Sequence, residues 1–158
     1  MSVSQLTKTV ALNPAFLEEI KDSNLELWAV LGCVRETCDR GENRVLLLRD
    51  LVQTLNQLRD LVALQFALEE SYGFVEVSTW TSPDLMMSID HVRSQHIGLY
   101  LRISELAECA EEMQYRGAGV NHISGLVARI LVFELQLMDH ERAERALIKS
   151  WRSESQLR

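Results

Sequence analysis

Apolar residues recur along most of this chain at alternating steps of three and four, the spacing that lines one face of a packed helix. Four stretches carry the pattern. The first reads Leu17, Ile20, Asn24, Leu27, Leu31, Val34, Cys38, and the second Leu48, Leu51, Leu55, Leu58, Val62, Gln65, Glu69, Tyr72. The third reads Leu85, Ile89, Val92, His96, Leu99, Ile103, Leu106, Ala110, and the fourth Ile123, Leu126, Ile130, Phe133, Leu137, His140, Glu144, Leu147, Trp151.

Helix signals bound these stretches. Asn13-Pro14 is an N-cap residue followed by proline at the first helical position. It opens a predicted helix that runs to about Asp39 and stops at Arg40-Gly41. A second helix is predicted from about Asn43 to Tyr72, with Gly73 as its stop. GFVEVSTWT, residues 73–81, is β-prone and reads as a packed loop. Ser82-Pro83-Asp84 opens a third helix that ends near Gln114, and RGAG at 116–119 is a turn signal. The fourth helix is predicted from about Val120 to Trp151. Short connections between helices of similar length imply antiparallel neighbours. The predicted fold is therefore all-α: one up-down-up-down four-helix bundle over residues 13–152, with an N-terminal extension, 1–12, and a polar tail, 153–158.

Six polar residues interrupt the apolar seams: Asn24, Gln65, Glu69, His96, His140 and Glu144. At ~1.5 Å of rise per residue, each lies roughly 5 to 20 Å from a helix end, and in an up-down bundle those four ends coincide. The six should meet in one half of the core and leave the other half, with Leu31, Leu51, Leu55, Ile103, Leu106, Ile130 and Phe133, purely apolar. An unpaired buried polar group costs a few kcal/mol and an unpaired carboxylate more. The six must therefore satisfy one another or an ion. His140 and Glu144, together with His96 and Glu69, are either ligands of a single Zn²⁺, Fe²⁺ or Mn²⁺ or members of a closed hydrogen-bond network. Asn24 and Gln65 fit a supporting or network role better than ligation.

Composition narrows the remaining classes. Hydrophobic residues make up 47% of 158, with Pro 2 and Gly 7, which suits one packed domain of long helices. A net charge of −7 without a dense basic stripe speaks against nucleic acid as a partner. Cys33, Cys38 and Cys109 are odd in number and lack CxxC spacing, so reduced thiols in a cytoplasmic protein are expected. The start, MSVSQLTKTVAL, does not resemble a signal peptide, and no membrane-spanning apolar run is expected. No nucleophile–base–acid set or Gly-rich phosphate loop supports hydrolase or kinase chemistry. His91 and His122 fall off the seams and read as surface residues. Trp28, Trp80 and Trp151 read as packing anchors, with Trp80 sealing the loop over the polar end.

Taken in order, QFALEE at 65–70, SQHIGLY at 94–100, HERAE at 140–144 and EIKDSNLELWAVL at 19–31 resemble the four helices of hemerythrin-like (HHE) domains. The resemblance covers nearly the whole chain. It implies a bundle that holds paired iron through histidines and bridging carboxylates, and that carries or senses O₂, handles NO or peroxide, or stores iron. Carried over by position, Glu69, His96, His140 and Glu144 match ligands. Asn24, Gln65 and Val92 stand where the family has further histidines. The implied centre is a reduced one: no metal or a single Fe, Zn or Mn ion rather than diiron. The expected role is a non-enzymatic binding, sensing or regulatory module with a protein partner or a second copy of itself. The alternative is a metalloprotein acting on O₂, NO or peroxide, and a helical interaction protein without a ligand is a plainer option.

Overall fold

The computed structural model describes residues 9–39, 43–77, 81–117 and 119–156. The Arg40-Gly41 stop, Trp80, the first eight residues and the last two of the tail lie outside these. The described residues are helical apart from one small sheet and short connections. In order it forms β1 (Thr9–Leu12), α1 (Pro14–Ser23), α2 (Leu25–Asp39), α3 (Arg44–Leu68), a π-helical turn (Glu69–Gly73), β2 (Phe74–Val77), α4 (Pro83–Arg116) and α5 (Val120–Gln156).

Local chemistry sets the helix starts. Asn13 Oδ1 accepts the Phe16 N–H at 3.3 Å ahead of Pro14, Asn43 Oδ1 accepts the Val45 N–H at 3.0 Å, and Ser82 Oγ accepts the Leu85 N–H at 3.3 Å. α4 stops at Gly117, whose φ of 77° favours glycine.

Four features differ from the sequence reading. The first predicted helix is two helices, because Asn24 leaves helical geometry at φ −91°, ψ 49° while its side-chain amide reaches across to α3. Residues 74–77 are a strand rather than loop: β2 pairs antiparallel with β1, in register from Thr9 with Val77 to Leu12 with Phe74. TVAL and FVEV are each too short to declare themselves, and the pairing joins segments about as far apart as α1, α2 and α3 together are long. Helix α5 runs on to Gln156, through most of the predicted polar tail. Tyr72, placed on a core seam by its spacing, is 56% exposed, because the π turn shifts the phase and sends Gly73 and Phe74 inward.

Otherwise the seams are the buried faces. Every α4 position from Leu85 to Ala110 in the predicted seam is buried, as is every α5 position from Ile123 to Leu147. Helix α2 packs on α3, α3 on α4 and α4 on α5, and both α1 and α2 touch α5. Two apolar clusters result. The larger joins α2, α3, α4 and α5 around Leu31, Leu55, Ile103, Ile130 and Phe133. The smaller joins Leu12, Leu17, Phe74, Leu85, Ile89, Val92, Leu147 and Ile148. His91 and His122 are exposed, and Trp28 and Trp151 are half-buried against the two clusters. Cys33, Cys38 and Cys109 are free thiols. By length and composition α5 is apolar enough to cross a membrane, where the sequence reading expected no such run. A helix that lines a protein core meets the same measure, and α5 also buries Glu134, His140, Glu141 and Glu144.

Candidate metal centre

Between the two apolar clusters lies a polar layer. The π turn supplies Glu69, α4 supplies His96, and α5 supplies His140 and Glu144 one turn apart on its inner face. One donor atom from each falls within 4.8 Å of every other, and all four side chains are buried. His96 Nε2 stands 3.2 Å from Glu69 Oε2 and 4.0 Å from Glu144 Oε2, and His140 Nε2 stands 3.2 Å from Glu144 Oε2. Metal–ligand bonds of about 2.0–2.1 Å place the donors of a tetrahedral shell roughly 3.3–3.4 Å apart; the two 3.2 Å pairs match that spacing, and the 4.0 Å pair is wider. Both carboxylates and both Nε2 atoms are fully buried, yet none makes an aligned hydrogen bond among the described residues. Groups in that state are costly unless a cation or protons compensate them.

The outer nitrogens of the two rings are tied down. His96 Nδ1 lies 2.8 Å from Glu70 Oε1, and His140 Nδ1 lies 2.8 Å from Gln95 Oε1. Both oxygens can only accept, so Nδ1 carries the proton in each ring and a neutral ring turns its Nε2 lone pair to the centre. Outer partners of this kind orient histidine ligands in metal sites. Arg93 donates to Glu70 Oε2 from Nε at 2.9 Å and from Nη2 at 2.7 Å. Burial alone would raise the Glu70 pKa, but Arg93 and His96 outweigh it and hold the carboxyl below its usual range. Phe66 stacks on His96 at 4.2 Å between ring centres and meets His140 edge-on at 5.3 Å, walling one side.

The layer contains two charged groups that the seam reading did not single out. Lys21, on α1, is 4% exposed, with Nζ 2.5 Å from Glu141 Oε2 and 3.1 Å from Glu144 Oε1. Glu141, also buried, accepts from Gln65 Nε2 at 2.8 Å, and Gln65 Oε1 accepts from Asn24 Nδ2 at 2.6 Å. Asn24 and Gln65 therefore reach the layer through Glu141 and Lys21 and not through the histidines. Val92 lies in the smaller apolar cluster. Lys21 sits four residues after Leu17 and one after Ile20, beside the seam and not on it. Glu141 shares a seven-residue column with Glu134 and Ile148, all three buried, and that column was the available signal.

Protonation in this layer is strongly displaced. Burial pushes the Glu69 pKa up to about 7, with Glu144 adding to the rise. Burial opposes charge on His96, but the nearby carboxylates of Glu144 and Glu69 dominate and raise its pKa to about 9. Burial works against ionised Glu144 too; His140, His96 and Lys21 prevail and hold it ionised far below the usual range. Lys21 follows the same pattern: burial favours neutral amine, but Glu144, Glu141 and Glu69 raise its pKa. With neutral imidazoles, Glu69, Glu141 and Glu144 against Lys21 leave the layer two negative charges in excess, while Glu70 and Arg93 cancel. One divalent cation, or two protons, balances it.

No family model matches this chain, and neither a curated protein nor a solved structure shows a match.

Proposed function

We propose that the chain is a hemerythrin-like up-down-up-down four-helix bundle, with α1 and α2 as a bent first helix, whose centre holds one divalent ion in place of a diiron pair. Glu69, His96, His140 and Glu144 are its ligands, and the protein works as a metal-dependent binding or sensing module rather than an enzyme. The carrying observation is the set of buried carboxylate oxygens and imidazole Nε2 atoms that face one another without aligned hydrogen bonds. Two imidazoles and two carboxylates suit Zn²⁺, Fe²⁺ or Mn²⁺. A bound ion supplies positive charge where the layer has two negative charges in excess.

The test is reconstitution. Protein stripped with a chelator and reloaded separately with each of the three ions, under anaerobic conditions for iron, should retain one equivalent by elemental analysis. It should also melt at higher temperature than the stripped form. Failure to retain any of the three ions would overturn the reading.

A second reading, action on O₂, NO or peroxide, draws on one further feature. A cavity of about 350 Å³ lined by Gln95, Gly98, Arg102, Asp139 and His140 opens beside the site. NO added to the iron-loaded protein should then produce a new visible absorption. An unchanged spectrum in protein shown to contain iron rejects this second reading and leaves the first standing.

A further inference from the structure

We infer that Lys21 is a built-in cation that occupies the place beside the divalent ion and so holds the site to one metal. The inference rests on the metal reading above and concerns what lies on the other side of Glu144.

The two oxygens of Glu144 face different neighbours. Oε2 turns to the Nε2 atoms of His140 and His96, at 3.2 and 4.0 Å, and Oε1 turns to Lys21 Nζ, at 3.1 Å. The carboxylate thus bridges the metal position and the ammonium. On its far side the ammonium meets Glu141 Oε2 at 2.5 Å, and the other Glu141 oxygen takes a hydrogen bond from Gln65. Ammonium and amide N–H groups donate and cannot ligate. In this half of the layer Glu141 is already engaged by donors on both oxygens, and the Lys21 side chain is 1% exposed, so packing and its two carboxylate partners hold the ammonium in position.

Charge supports the same division. One divalent ion brings the layer to neutrality with Lys21 in place. A second would leave two positive charges in excess in a buried site, next to an ammonium a few ångströms away, where repulsion between like charges is large. A pair of metal ions needs that ammonium gone. The two halves also differ in hydrogen bonding: the fully buried donor atoms of Glu69, His96, His140 and Glu144 lack aligned hydrogen bonds, while Lys21 Nζ and both Glu141 oxygens make them.

Equilibrium dialysis of the full chain against Zn²⁺, with elemental analysis and circular dichroism, tests this. The natural protein and Lys21→Arg, which keeps the charge, should each hold one ion. Lys21→Glu leaves four negative charges in excess and should hold two. Two ions in the natural protein, or one in folded Lys21→Glu, would overturn the inference while leaving the metal reading intact. No ion in the natural protein sinks the metal reading itself. If Lys21→Glu does not fold, Lys21→Met decides: its single ion should bind about tenfold or more tightly once the competing charge is gone. Unchanged or weaker binding in that variant also overturns the role given to Lys21.

Discussion

At the scale of single residues, the layer is defined by which group holds each proton. Glu69, with its pKa raised to about 7, and His96, raised to about 9, both favour the protonated form in the folded, metal-free chain. For Glu69 the folded value lies above the ordinary 4.5, so its stabilisation is present below that and is lost as pH rises through about 7. For His96 the gain is complete below 6.5 and is lost as pH rises through about 9. Glu144, held low, stabilises above 4.5 and loses that contribution as pH falls below it. The melting temperature of the chelator-treated protein should therefore decline steadily between about pH 5 and 9. Zinc should flatten that decline, because the ion replaces both protons, and its affinity should fall as pH drops. A melting temperature that rises over this range in the metal-free protein would contradict the assignment. The outer partners carry a separate expectation: Gln95→Leu frees the Nδ1 side of His140 and should weaken zinc binding about 10–100-fold. Gln136→Leu, at the same cavity but not on a histidine, should leave zinc binding unchanged.

Those residues also mark what the sequence discloses. Glu69, His96, His140 and Glu144 were legible because each stands on an otherwise apolar seam, where a polar group has to be explained. Lys21 and Glu141 were not, because a strict three-four seam is narrower than the buried face of these helices. Lysine beside such a seam ordinarily lays its stem on the core and its ammonium in water. Here α5 and the π turn pack against α1 and enclose it, a consequence of tertiary packing that no local pattern encodes.

At the scale of elements, the π turn Glu69–Gly73 decides how α3 meets the site. Wider turns of this kind occur at functional positions. This one lets adjacent residues reach opposite sides of one ring: Glu69 Oε2 is 3.2 Å from His96 Nε2, and Glu70 Oε1 is 2.8 Å from Nδ1. The sequence reading carried α3 through to Tyr72 in regular phase, since nothing in EESYG separates a π turn from an α turn. The turn closes on Gly73, whose carbonyl accepts the Asn13 N–H at 2.8 Å. A Cβ at Gly73 would lie 2.2 Å from Leu17 Cδ2. Leu17 is fully buried, so it cannot swing into solvent. Gly73→Ala should destabilise the fold by about 1–3 kcal/mol in chemical denaturation. Leu17→Ala alone leaves a cavity and should cost about 2–5 kcal/mol. The double variant should lose clearly less than the sum, because each change relieves the other. Additive losses would mean that the contact between Leu17 and Gly73 does not fix the turn.

At the scale of the whole molecule, the polar layer separates two apolar cores of unequal size. The larger cluster is built from long helices α2 to α5, and the smaller gathers the β1–β2 pair, α1, the start of α4 and the end of α5. The seams foresaw an apolar half beyond the polar residues; they also carry Leu17, Leu85, Ile89, Val92 and Leu147 of the second cluster, but not Leu12 and Phe74, which lie in the short strands and help close it. Fewer apolar contacts hold the smaller end, and the strands and α1 that cover it are short. In metal-free protein, hydrogen exchange should show two tiers, with amides of α1, β1, β2 and the last turns of α5 opening at lower free energy than those of α2 and α3. Excess zinc then distinguishes how the ends are joined. Opening the smaller end displaces Lys21 on α1 and the α5 turns that carry His140 and Glu144, and global unfolding displaces every ligand. Both openings release the ion, so zinc should slow exchange in both tiers by the same factor, set by the ratio of free zinc to its dissociation constant. If zinc slowed only the upper tier, the smaller end would open with the site intact, and the layer would belong to the larger core alone.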